Sequence, residues 1–343
     1  MEGSSNPTDD FWNSINKYPI VNDSVTIKRV HIKADKFTFN KHYNKSIKKY
    51  IFEDCEFSEY FIMTLDSSVE SDFVFHNCNF KSFVCESYSA KGKEYSGVIR
   101  LSGKNHQGDI KFNGSFKNRI YIDNIGLDKE CSIDFTGSID KDSSCFYSDI
   151  VILRTSAQIL LYQCDVGSLL VEESKFIKEI SVKDVVIKNK LSIIGIDKCD
   201  LLEINNLDCH EGSKVLFENL ALDKLFFIKI SQDVKYMQFN NVWLEEKFLC
   251  EKVEFKNTYF NDFNIENAKK FISKTSFIDA HLNDVNWGDV SSISANEATF
   301  RQLKFVNDSQ GSHLIANQFY AMEMRKYQEE FKGNCQARLV LWL

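Results

Sequence analysis

The feature that most constrains this chain is a five-residue period. In TSFIDAHLNDVNW (275–287) the large apolar residues Phe277, Leu282 and Trp287 fall every fifth place. A smaller residue, Thr275, Ala280 or Val285, stands two places before each. A helix repeats near 3.6 residues and a strand at 2, so neither accounts for the pattern. The same spacing recurs at Phe52 and Phe57, Phe75 and Phe80, Phe255, Phe260 and Ile265, and Phe300 and Phe305.

The repeating unit is a small residue, a polar one and a large apolar one. It reads CEF (55–57), CNF (78–80), GSF (114–116), CSI (131–133), CDV (164–166), SKF (174–176) and CDL (199–201). It continues as TSF (275–277), AHL (280–282), VNW (285–287) and ATF (298–300). In a locally extended chain residues i and i+2 share a side. The small and large residues then face one interior, and the polar residue faces out, which places Ser276, His281 and Asn286 in water. A chain that turns a corner every five residues closes a four-sided coil after about 20 residues, and stacked coils make a solenoid.

Composition agrees. The 43% hydrophobic content supports a buried core. The only prolines are Pro7 and Pro19, as a continuous ladder requires, because each proline removes a backbone N–H. The 29 phenylalanines and frequent β-branched residues favour strands. A net charge of -7 argues against a broad phosphate-binding surface. The first twenty residues lack a basic start and an apolar core, so no secretory signal is read. No apolar run reaches the length of a spanning helix, and the expected compartment is the cytoplasm. The ten cysteines show no C-x-x-C spacing. Cys55, Cys78, Cys131, Cys164 and Cys199 instead occupy the small inward place of the unit, where Cys acts as a small buried hydrophobe.

The units TSF, AHL, VNW, ATF, CNF and CDL resemble the pentapeptide-repeat family. The resemblance implies a right-handed quadrilateral parallel β-helix with the large residue and the small residue two before it both interior. Phase is lost between 58 and 73, 85 and 110, and 138 and 158, which predicts unequal coils and bulged loops, the clearest near Lys91–Gly97 and Lys104–Gly108. A leucine-rich repeat is the rival reading of 201–228, but its connecting segments are too short for the helix that each such repeat carries.

A solenoid needs caps on both ends. The expected domains are an N-terminal cap (1–22), the β-helix (23–294) and a C-terminal helical segment (295–343). In the first, Thr8 or Asp9 caps a short helix with Phe11, Trp12 and Ile15 on its apolar face. In the last, Ala316, Tyr320, Met324, Tyr327 and Phe331 follow a helical period. Asp308–Gly311 forms the turn before them, with Ser312 as N-cap. Residues 295–306 read either as the last coil or as the first helix of a hairpin. The run 300–328 is similar to the helical segment that follows pentapeptide repeats in many bacterial membrane-anchored proteins. The candidate interaction residues of this segment are Arg301, Lys304, Gln310, Gly311, Tyr320, Met324 and Tyr327, which match that similarity, and Arg325. The apolar run RLVLWL (338–343) at the end of the sequence suggests a longer protein that continues toward a membrane beyond Leu343.

For chemistry the sequence offers little. The acidic clusters at 122–130 and 139–144 fit a solvated face better than a catalytic pair. There is no GxSxG, HExxH or Walker loop, and the seven histidines form no i, i+4 pair. Cys209 and His210 are adjacent, and neighbouring residues of a strand point apart. The expectation is a protein without catalytic residues, cofactor or metal. It would be a cytoplasmic recognition or scaffold domain, associated with a membrane, with a protein partner, no nucleic acid, and self-association through the solenoid ends or C-terminal helices. The alternatives are a DNA mimic that inhibits an enzyme such as gyrase, and a carbohydrate-active β-helix enzyme.

Overall fold

The computed structural model describes residues 15, 17–32, 36–39, 44, 46–57, 60–66, 68–88, 95–103, 108–126, 131–136, 145–230, 236–251, 253–255, 258–265, 270–271, 275–277 and 280–330. Several expectations lie outside these residues: Thr8, Asp9, Phe11 and Trp12 of the N-terminal cap, the loop segments 91–94 and 104–107, the acidic residues 127–130 and 139–144, Phe331, and the apolar run 338–343.

The described chain winds into a parallel β-solenoid closed at its C-terminal end by two helices. One column of strands runs its full length. Its register passes through Thr26, Ile51, Val74, Arg100, Tyr121, Val151, Leu170, Ser192, Leu216, Gln238, Tyr259 and His281. A second column passes through Thr38, Thr64, Glu86, Asn113, Thr136, Tyr162, Lys183, Asn205 and Lys229. The spacing between rungs centres on about 22 residues. It ranges from 19, between Val151 and Leu170, to 30, between Tyr121 and Val151. The coils are therefore larger than the expected 20-residue square, and the long strands Val186–Cys209 and Lys214–Ile230 run through both columns without a break. No leucine-rich horseshoe forms, since rung follows rung with strands, not helices, between them.

The inward–outward alternation follows the sequence units. Cys55, Cys78, Cys131, Cys164 and Cys199 are all buried, as are Phe57, Phe80, Ile133 and Val166 two places on. Phenylalanines stack along the solenoid axis inside it. Phe52 lies on Phe75 at 4.9 Å, Phe112 on Phe135 at 5.1 Å, and Phe239 on Phe260 at 4.8 Å, each pair within 10° of parallel. The interstrand spacing of about 4.8 Å sets this repeat. The interior is thus a filled core rather than a lumen.

Four units depart from the expectation. Phe176 of SKF is 39% exposed, and Ile177 takes the interior place. Leu201 of CDL is half-buried, because the ladder shifts register between Cys199 and Leu201 and Leu202 turns inward instead. Val285 of VNW is only half-buried, packed against the core. ATF belongs to a helix, and its Ala298 is exposed.

A regularity that the unit did not reveal sits at the corner after the first column. Arg29, Asp54, Asn77, Gly103, Asn124, Arg154, Glu173, Gly195, Asn219, Asn241, Asp262 and Asp284 all have positive φ. Each lies three residues after its rung's register residue, so twelve successive coils turn on a left-handed residue. Asn and Asp tolerate this conformation and glycine adopts it freely. These three types hold every one of the positions except Arg29, Arg154 and Glu173. Side chains also join the corner from rung to rung. Asn77 donates to Asp54 at 2.6 Å and Asn241 to Asn219 at 2.8 Å.

Both ends are closed by the chain itself. At the start, Ile20–Val21 pairs antiparallel with Ser24–Val25 across the turn Asn22–Asp23, whose φ values are 49° and 58°. Two successive positive φ angles define the tight hairpin turn that matches strand twist. This hairpin covers part of the first rung's edge, and Ile15 before it is buried in the core. At the other end stand α1 (Glu297–Ser309) and α2 (His313–Glu330), which settle 295–306 as the first helix of a hairpin. Asn296 caps α1 by accepting from the Thr299 N–H at 2.8 Å. The helix runs through Ser309, so the connecting turn is confined to Gln310–Ser312, shorter than expected.

Candidate interaction surface

The eight candidate residues of the helical segment are mostly engaged within the hairpin. Arg301 donates to the buried Glu323 at 2.8 Å and also contacts Glu297 and Tyr327. Lys304 stands over the Tyr320 ring at 4.5 Å. Gln310 turns back on the solenoid. Its Oε1 accepts from the Leu282 N–H at 2.9 Å and its Nε2 donates to the Ala280 carbonyl at 3.3 Å. Gly311, with φ 80°, makes the turn between the helices. Met324 is half-buried and Arg325 exposed.

The buried face of α2 also differs from the expected stripe. Ala316, Phe319 and Glu323 face inward, while Tyr320 is 44% exposed. The hydrophobic period misplaces the face because one of its inward residues is a glutamate, paired with Arg301. A second residue that sequence reasoning missed is Gln302. Its Oε1 accepts from the Phe277 N–H at 2.8 Å, and Thr299 Oγ1 donates to the Thr275 carbonyl at 3.0 Å. Helical side chains thereby satisfy backbone groups that a further rung would otherwise pair.

The more open surface lies on the last three rungs of the first column. Tyr236, Tyr259 and His281 form an outward file. The rings of Tyr236 and Tyr259 are 5.8 Å apart, and His281 lies flat on Tyr259 at 4.5 Å and 7°. Lys214 approaches the Tyr236 ring at 5.8 Å. Beside this file runs a chain of amides. The Tyr236 hydroxyl donates to Gln238 at 2.8 Å, and Gln238 donates to Asn240 at 2.9 Å. Asn261 donates to Asn240 at 2.7 Å, and Asn283 to Asn261 at 2.8 Å. Around the corner, Trp243 is 40% exposed between Ala221 and Asn264. His281 is outward as expected, but as one member of an aromatic stack. The sequence signal for this surface is Tyr, His and Asn recurring at the rung spacing rather than at five.

Elsewhere the outward rows are laced by opposite charges on neighbouring rungs. Arg154 meets Asp123 at 2.6 Å, Lys183 meets Glu203 at 2.8 Å, and Lys188 meets Asp165 at 3.0 Å. Among the described residues, no three His, Cys, Asp or Glu side chains are grouped to hold a metal. Most of the buried thiols are suppressed as acids, Cys55 being the exception, lowered to about 7 chiefly by its hydrogen bond with Cys78. Burial pushes Cys131 up to about 11 and Cys199 to about 12, and raises Cys85 and Cys250 well above the ordinary value. Cys209 also rises to about 12, burial again being the main cause.

The chain matches no protein-family model, no curated protein and no solved structure. The class rests on the fold alone: a parallel β-solenoid repeat protein with a C-terminal helical hairpin.

Proposed function

We propose that this chain is a non-catalytic recognition module that binds a protein partner through the aromatic and amide surface of its last rungs. The observation that carries this reading is the row of rings Tyr236, Tyr259 and His281, the last two stacked, beside the Gln238–Asn240–Asn261–Asn283 amide chain, with Trp243 exposed around the corner. Tyr and Trp are enriched at protein interfaces and supply contact area at low entropic cost. The amides retain hydrogen-bonding capacity beyond the bonds that they make with one another. A stacked sheet and a capped end hold these side chains in a fixed arrangement, which lowers the ordering cost of binding.

The rung-to-rung ion pairs support this reading over duplex mimicry, since they break up the acidic excess that a mimic would need to gather in one stripe. The small–polar–large units support affiliation with pentapeptide-repeat proteins. Through the resemblance of the C-terminal hairpin, they support a place on the cytoplasmic side of a membrane. No described helix is long and apolar enough to cross a membrane, so that association would come from another part of the protein or from a partner.

The test is photo-cross-linking in cells. A photoreactive residue at Trp243 or Asn283 is expected to capture one recurrent protein, and one at Thr136 on the other column is not. Trp243→Ala and Tyr259→Ala should each weaken the captured complex about tenfold or more, as aromatic anchors do. Capture that is equal from both columns, or binding that survives both substitutions, overturns the assignment. Inhibition of gyrase supercoiling by the purified chain would favour the mimic instead.

A further inference from the structure

We propose that this chain forms a twofold dimer through the middle of the first column, independently of the recognition surface above. Four successive strands there each place three alternate residues on the outer face of the sheet. They are Asp149, Val151 and Leu153; Ser168, Leu170 and Glu172; Lys190, Ser192 and Ile194; and Lys214, Leu216 and Glu218, in direct register. The central row is aliphatic apart from Ser192, which is buried between Leu170 and Leu216. Leu153 and Ile194 widen it. The main contacts of the described helices and strands run between rungs and at the C-terminal cap, and none of them sets a helix against these four strands.

The charges around this apolar row are arranged unlike those elsewhere. Lys190 and Lys214 are register neighbours on one side, and Glu172 and Glu218 flank Ile194 on the other. Like charges on adjacent strands repel. None of the four belongs to an ion pair among the described residues, whereas Arg154, Lys183, Lys188 and Lys198 nearby each meet a carboxylate. Among the described residues Lys214 approaches the Tyr236 ring at 5.8 Å. A basic edge, an apolar middle and an acidic edge therefore lie side by side, with the opposite charges too far apart across the strand to satisfy one another.

A second copy satisfies them. A twofold axis along the stacking direction, between two facing sheets, reverses the strands and preserves rung height. Leu216 then meets Leu216 of the second copy, and Lys214 meets its Glu218. Lys190 falls between its Glu172 and Glu218. The same contacts repeat on the other side of the axis, as an isologous interface requires. Electrostatic complementarity of this kind fixes register and partner choice.

The experiment is sedimentation velocity on the full chain over a concentration series. The wild type should dimerise, and raised salt should weaken the dimer. The variants Lys190→Glu/Lys214→Glu and Glu172→Lys/Glu218→Lys should each raise the dimer dissociation constant about tenfold or more. An equimolar mixture of the two restores opposite charges in both halves of the interface and should recover the dimer. A wild type that stays monomeric, or a mixture that fails to recover, overturns the proposal. Circular dichroism checks that the variants fold. If they do not, Leu216→Cys should join to itself with a short bis-maleimide above the wild-type background. Tyr162→Cys, on the other column, should not, and the reverse result rejects this face.

Discussion

Trp287 meets Phe319 edge-on, with ring centroids 5.5 Å apart. The first is the last large residue of the five-residue period, and the second is an inward residue of α2. Both are fully buried. This contact joins the stacked interior to its helical cap, and it makes the end of the solenoid depend on a side chain from another kind of structure.

Phe319→Ala should therefore loosen the cap before it unfolds the whole. Removing a buried phenylalanine costs about 3–5 kcal/mol, and in a repeat array such a loss acts first on nearest neighbours. Hydrogen exchange is expected to quicken in 258–265 and 281–283 while 145–230 stays protected. Uniform quickening along the chain would show that the array unfolds as one unit.

The two glutamines of the cap give a finer test. Gln302→Ala leaves the Phe277 N–H without its acceptor, and Gln310→Ala does the same at Leu282. Each should cost about 1–3 kcal/mol of local stability, the range for an unsatisfied buried group. The check is exchange at those two amides, which should accelerate selectively in the matching variant.

At the left-handed corner, residue type sets the cost. Asn241→Val places a β-branched residue at φ 49° and removes the bond to Asn219, so it should destabilise by about 1–2 kcal/mol or more. Glu173→Asn, at φ 57°, replaces an ill-suited residue and should stabilise by about 0.5–1 kcal/mol. Urea denaturation of both variants decides it. Equal effects would mean that the corner tolerates any residue.

The buried thiols predict a loss of stability in alkali. The folded values of Cys85, Cys131, Cys199 and Cys250 lie above the unfolded value of about 8.5, so at these thiols the folded state holds protons that the unfolded chain releases. This contribution is complete below about pH 8.5. It declines as pH rises through about 11 and 12, the values of Cys131 and Cys199. Urea midpoints should fall across that window, and less steeply in a Cys199→Ala variant compared with its own neutral-pH midpoint. At pH 8 Cys131 and Cys199 should react slowly with a thiol reagent in the native protein and quickly in the unfolded one, read by mass spectrometry of the labelled peptides.

The sequence by itself determined the solenoid, its interior residues over most units, and the inward place of the cysteines. These follow from local sterics: a small and a large residue two apart must share one side of an extended chain. It also showed a helical segment near the end and the outward position of His281, but it put the change of period after Phe305, whereas the first helix already begins at Glu297. The corner was legible in part, since Asn or Asp directly precedes an inward residue at Cys55, Cys78, Leu220, Val242 and Phe263. Only the tertiary structure decided what depends on register between coils. Coil lengths vary from 19 to 30 residues, so no fixed period in the sequence aligns Gln238 with Tyr259 and His281, or Lys190 with Lys214. Those partners lie about one coil apart along the chain, and hydrogen bonding between rungs is what brings them into line.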